Sequence, residues 1–138
     1  MASLIYNHAI KFANTGTIDF DSDTFKCMLV TSSYTPDKDA HDFRNDVTNE
    51  VSGTGYTAGG AAVTITVTPD DANDRLNITL GGFSLPTSTI TARGAVYYKS
   101  RGGASSADEL VAYIDFGSNQ SSTGGTFALA DSTLRYQN

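Results

Sequence analysis

The chain has 138 residues, with nine Lys and Arg against fifteen Asp and Glu and a net charge of -6. That is one ordinary domain's worth of chain, and its acidity argues against phosphate backbones and anionic bilayers as partners. No apolar run approaches the roughly 20 residues that span a bilayer, no basic-then-apolar leader opens the chain, and the single Cys27 leaves no internal disulfide, so a soluble, non-exported protein held by packing or by partners is expected.

Gly, Ser and Thr make up roughly a third of the residues, and the acids are almost all Asp, with Glu50 and Glu109 the exceptions. Thr favours strands, Gly, Ser and Asp favour turns, and little is left to build helices. The predicted class is therefore mainly β: one antiparallel sandwich or jelly-roll-like barrel over residues 1–138, with a short N-terminal helix and a short helix in a long loop. The first helix is predicted over residues 3–12, where Leu4, Ile5, His8, Ala9 and Phe12 form one apolar stripe, Ser3 is a candidate N-cap and residues 14–16 a stop. Residues 24–31 read as a strand covered on both faces. The long segment 32–60 then holds about two helical turns at 40–47, with Asp39 as N-cap, and a Gly-rich loop at 52–60.

From residue 61 the pattern is regular. Residues 62–68 alternate apolar side chains with Thr, 69–74 supply turn residues and 75–80 alternate again, which predicts a hairpin. Residues 83–90, interrupted by Pro86, predict an irregular edge piece. Strands follow at 93–99 and 109–116, then a turn at 117–125 and a last strand at 126–130. Leu29, Val63, Ile65, Val96, Tyr113 and Ile114 are the expected core.

Chemistry-bearing clusters are few. Asp37, Asp39 and Asp42, with Asp46 a helical turn beyond, offer oxygen ligands for a divalent cation, but Lys38 and Arg44 stand among them and a capped surface helix is the stronger reading. Asp19, Asp21 and Asp23 resemble the start of an EF-hand loop, yet Val30 stands where the bidentate Glu belongs, so a turn is expected. Ser84 lacks the second Gly of a nucleophile elbow, and Gly53, Gly55 and Gly59 are spaced one residue too widely for a dinucleotide fingerprint. Cys27 paired with His8 or His41 as a nucleophilic dyad stands behind two blander readings, a buried thiol and a packed histidine on the helix stripe. No catalytic residue, cofactor or metal is predicted. The Gly-rich loop around Tyr56 has the make-up of a protein contact.

Several strings carry a resemblance: MASLIYN at 1–7, DSDTFK at 21–26, VTSSYTPD at 30–37, VSGTGYTAGG at 51–60, STITARGAV at 88–96 and YIDFG at 113–117. Together they resemble small virion proteins encoded in the structural-gene regions of tailed bacteriophages, cyanophages included. The resemblance implies a non-enzymatic capsid decoration, or cement, protein: a small subunit on the virion surface, often a homotrimer. Such a subunit binds the major capsid protein and its own copies. Net negative charge suits solubility at high copy number, and many copies of a modest contact add up through multivalency. The candidate contact residues are Leu4, Ile5 and Tyr6 in the first helix and Gly53, Gly55, Tyr56 and Gly59 in the loop. A tail, baseplate or fibre-associated component shares these bulk features, and a carbohydrate-binding module is a third reading, motivated by seven Tyr and weakened by the lack of Trp.

Overall fold

A computed structural model describes residues 2–137. Its elements in chain order are β1 (Leu4–Ile5), α1 (Asn7–Asn14), β2 (Phe25–Val30), β3 (Ala61–Val63), β4 (Ile65–Asp70), β5 (Arg75–Leu80), β6 (Phe83–Lys99), β7 (Leu110–Leu129) and β8 (Ser132–Gln137). The strands form two antiparallel sheets, one in the order β1-β7-β6-β2-β3 and one in the order β4-β5-β8. The fold is thus the all-β sandwich with a short N-terminal helix that the composition predicts.

The larger sheet is covered on both faces, which explains the unbroken apolar run of β2. Cys27 and Leu29 face the smaller sheet and pack with Ile65, Ile78 and Leu80. Met28 and Val30 face the other way, onto Tyr6, Ala9 and Tyr34. β6 splits its side chains likewise, Ala95 and Tyr97 inward, Val96 and Tyr98 outward. Of the expected core, Leu29, Val96, Tyr113 and Ile65 are buried, whereas Val63 and Ile114 are half-buried at its margin.

β6 and β7 form one long ribbon that folds over into β5 and β8. The register runs through the corner unbroken, with Leu80 opposite Ser132 before it and Phe83 opposite Leu129 after it. Gly82 is required there because a Cβ would collide with the Leu129 carbonyl, and its N–H is fixed by Asp131 Oδ1 at 2.8 Å. This long-range ladder corrects three sequence expectations. Residues 83–90 and 93–99 are one strand, with Pro86 absorbed by a register shift between Leu85 and Ser88. The predicted turn at 117–125 lies within β7, where shifts and the positive φ of Gly117 and Gly124 bend the strand without ending it. β8, absent from the sequence expectations, closes the smaller sheet.

Local propensity is also overridden elsewhere. The helix starts at Asn7, not Ser3, because Leu4 and Ile5 pair with Tyr113 and Ala112, while Ser3 Oγ accepts the Asp115 N–H at 2.8 Å. Residues 40–47 yield only a 3-10 turn at Arg44–Asp46, since Phe43 bridges Glu109 and the Asp42 carbonyl accepts the Leu110 N–H at 2.9 Å. The strand read at 62–68 breaks at Thr64 and sends β3 and β4 to different sheets, the Thr64 carbonyl accepting the Gly81 N–H at 2.8 Å.

Candidate interaction surface

The Gly-rich loop is seated on the sandwich. Thr54 bridges Thr89 in β6, and a Cβ at Gly55 would press on the Ser88 backbone at 2.9 Å, so only glycine lets the two backbones lie this close. Gly53 meets the Thr89 carbonyl in the same way. The half-buried Tyr56 donates its O–H to Glu50 Oε2 at 2.6 Å and accepts the Leu29 N–H at 3.0 Å. Gly59 donates its N–H to the same Glu50 oxygen at 2.7 Å, and its carbonyl accepts the Tyr98 hydroxyl. Burial, then the Glu50 contact, holds the Tyr56 phenol well above its ordinary pKa. Of the loop residues singled out in the sequence, Gly53 and Gly55 are exposed while Tyr56 and Gly59 act as anchors.

The start of α1 and segment 34–46 form a second pinned region. Tyr6 is fully buried, which removes it from any direct surface contact, while Leu4 and Ile5 are half-exposed. The Tyr6 and Tyr34 hydroxyls lie 2.8 Å apart, and Tyr34 meets His41 Nδ1 at 2.9 Å. The Asp37 N–H points at that same Nδ1 from 3.2 Å, so the nitrogen accepts, and donation runs from Tyr6 to Tyr34 to His41. Burial lifts the Tyr34 pKa to about 12. Asn7 Nδ2 donates to Asp39 Oδ1 at 2.5 Å, and His8 Nδ1 lies 3.2 Å from Asp42 Oδ2. His8, expected as a packed stripe residue, thus sits in a partly exposed polar pair.

The acids have structural work. Asp37, not Asp39, caps the local turn by accepting the Asp39 and Ala40 N–H groups. Asp46 accepts from the N–H groups of Asp42 and Phe43; burial pulls its pKa up, and these bonds outweigh it and leave the carboxyl below its usual range. Asp23 accepts the Asp19 N–H and pairs with Lys99 at 2.8 Å, closing the 19–23 turn. The buried Asp108 takes Arg44 Nε at 2.8 Å, the Arg44 guanidinium also lying over the Tyr98 ring, and Glu109 takes Arg101 in a two-point contact at 2.6 and 2.8 Å. No group of three or more His, Cys, Asp or Glu placed to hold a metal occurs among the described residues. Cys27 is fully buried in the inter-sheet core, and burial pushes its thiol pKa up, which suppresses the nucleophilic thiolate.

One exterior feature escapes the sequence reading. Beside α1 the inner face of the smaller sheet runs past its cover into an apolar cleft of two hollows, about 220 and 390 Å³, which share Phe20, Ile78 and Tyr136. Ile10 on α1 and Tyr136 on β8 are the exposed large hydrophobic residues among those described, 45% and 44% accessible. Ile5, from the predicted contact set, also lines the smaller hollow. The signal lies in the alternation of Leu134 and Tyr136 with Thr133 and Arg135, the period of a short strand. No family model, no curated protein and no solved structure matches the chain.

Proposed function

We propose that the chain is a virion assembly protein: a capsid decoration subunit that binds the outer face of the major capsid protein and stabilises the head. The observation that carries this reading is the pinning of both long connections, 31–50 and 51–60, to the sandwich by backbone bridges and side-chain hydrogen bonds. Loops held this way present a preformed surface, so little ordering entropy is lost on binding, and repetition over a shell multiplies a modest contact. The net charge of -6 suits a subunit that must stay soluble at high copy number and off packaged nucleic acid. Cys27 is sealed in the core, His41 is tied to Tyr34 and Asp108 to Arg44, which favours a role made of surface contacts.

The test is to mix the purified chain with empty shells and image them by cryo-electron microscopy. Ordered density on the outer face is expected. Shells without it, or label confined to the tail, overturn the reading, and tail label would favour the tail or baseplate alternative. A carbohydrate-binding role has less support, because Tyr136 is the one exposed large aromatic among the described residues and a glycan platform needs several rings.

A further inference from the structure

Where β7 bends it leaves one edge open. β6 pairs along one side of the strand, and β1 covers the other side only at Ala112 and Tyr113. Past Asp115, whose N–H meets Ser3 Oγ, no described strand lies against that second edge. Register shifts interrupt β7 as far as Phe127, and beyond them Phe127, Ala128 and Leu129 pair regularly with Leu85, Ser84 and Phe83. The other open edges carry features that keep foreign strands off: β1 and β3 have two and three residues, β4 holds Pro69 and Asp70, and β8 holds Arg135. Residues 116–130 contain neither a charge nor a proline. A hollow of about 500 Å³ opens here, lined without a gap by residues 126–132 and, across from them, by Ile114 and Phe116. Successive residues of a strand point to opposite faces, so an unbroken run reaches one hollow only where the strand turns its edge to it. The apolar lining is Ile114, Phe116, Leu129 and Phe127, the last with its ring 6.4 Å from that of Phe116. Asp131 stands at the corner end, its Oδ1 accepting the Gly82 N–H, and no cation pairs with it among the described residues.

Each part of this place selects something different. An open edge takes an extended backbone, the hollow an apolar side chain, and the free carboxylate a cation. The same edge of a second copy offers Asp131 no cation and brings a further net charge of -6, which points to a foreign strand. We propose that residues 126–130 take one extended strand of a partner polypeptide by β-strand addition, with an apolar side chain in the hollow and a Lys or Arg beside Asp131. The added strand runs antiparallel, as every pairing in both sheets does. Asp131 follows the edge in sequence, so the basic residue precedes the apolar one in the partner. The proposal is independent of the decoration reading: it is tested without any shell, and either can fail while the other stands.

The experiment titrates the full chain with a capped hexapeptide, Lys followed by alternating Val and Thr, and follows backbone amides by NMR and hydrogen exchange. Saturable binding is expected, with slowed exchange confined to residues 126–130 and their neighbours on β6. N-methylation of alternate peptide nitrogens removes the backbone donors and should weaken binding at least about tenfold. Moving the Lys to the other end should weaken it about threefold, because the charge then lies away from Asp131. Asp131→Asn keeps an oxygen for the Gly82 N–H and is expected to melt like wild type while erasing that preference for one end. The N-methyl contrast is read on the wild-type chain, so it stands even if the variant fails to fold. No binding at millimolar peptide, equal binding of the N-methylated probe, or protection that falls elsewhere overturns the proposal. Protection of these amides that rises with protein concentration alone would also overturn it and assign the edge to a second copy.

Discussion

At the scale of single residues, the sandwich rests on a few side chains whose surroundings make their loss measurable. Leu29 is fully buried in β2 between the sheets, so Leu29→Ala is expected to cost about 2–5 kcal/mol in denaturant unfolding. A loss below about 0.5 kcal/mol would take β2 out of the core. Tyr56→Phe keeps the ring and removes the hydroxyl that joins Glu50 to the Leu29 N–H, leaving both short of a partner, and should cost about 1–3 kcal/mol by the same measurement. Arg44→Leu strips Asp108, whose side chain is 2% exposed, of its cation and should cost about 3 kcal/mol; a change under about 1 kcal/mol would mean that the Arg101 N–H alone satisfies that carboxylate. The buried status of Leu29 and Cys27 is readable in the chain because an apolar run too dense for alternation leaves no face for water. The role of Tyr56 is not readable: its partners lie 6 and 27 residues away, and a ring in a Gly-rich loop looks the same whether it anchors the loop or greets a partner.

At the scale of elements, local signals succeed where a strand can be judged alone and fail where long-range pairing decides the outcome. β2, the β4–β5 hairpin, the last part of β6 and the first part of β7 are legible from periodicity. Pro86 and the glycines at 117 and 124 read as breaks, since propensity cannot register that a partner strand spans the irregularity and absorbs it with shifts. In the same way Ser3 looks like a cap until β7 claims Leu4 and Ile5. The candidate contact set splits along this line: Gly53 and Gly55 are exposed, but their lack of a side chain is already demanded by the fit against β6. Gly55→Ala is accordingly expected to loosen the loop, with faster amide exchange at Thr54 and Thr89 while the amides of β2 keep their protection. Equal acceleration in β2 would show that the loop and the core open together.

At the scale of the whole molecule, acid should unfold the protein through its carboxylates. For Asp23, Asp46 and Asp115 burial pulls the pKa up, but it is outweighed, at Asp23 by the Asp19 N–H and Lys99, at Asp46 by the Asp42 and Phe43 N–H groups, and at Asp115 by Arg93 and the Gly117 N–H. All three folded-state values lie below the unfolded value of about 3.9. Their stabilisation is therefore complete above that pH and is lost as pH falls through the folded values. Melting temperature should be flat from neutral to about pH 5 and fall below about pH 4; a midpoint unchanged down to about pH 2 would show that these carboxylates carry no stability. The folded-over ribbon carries one more consequence, for how much foreign sequence the chain can accept. Between Gly94–Asp115 and Ala92–Gln120, β7 already runs three residues longer than β6, so the stretch at 116–119 can take a spliced epitope without disturbing the pairing on either side. One surplus residue between Phe127 and Ser132 has no such slack. It would turn β8 over, aiming Thr133 and Arg135 at the interior in place of Leu134 and Tyr136. Display of a peptide at Ser118 should thus leave the thermal midpoint nearly unchanged, whereas a lone alanine beside Ala130 should collapse it.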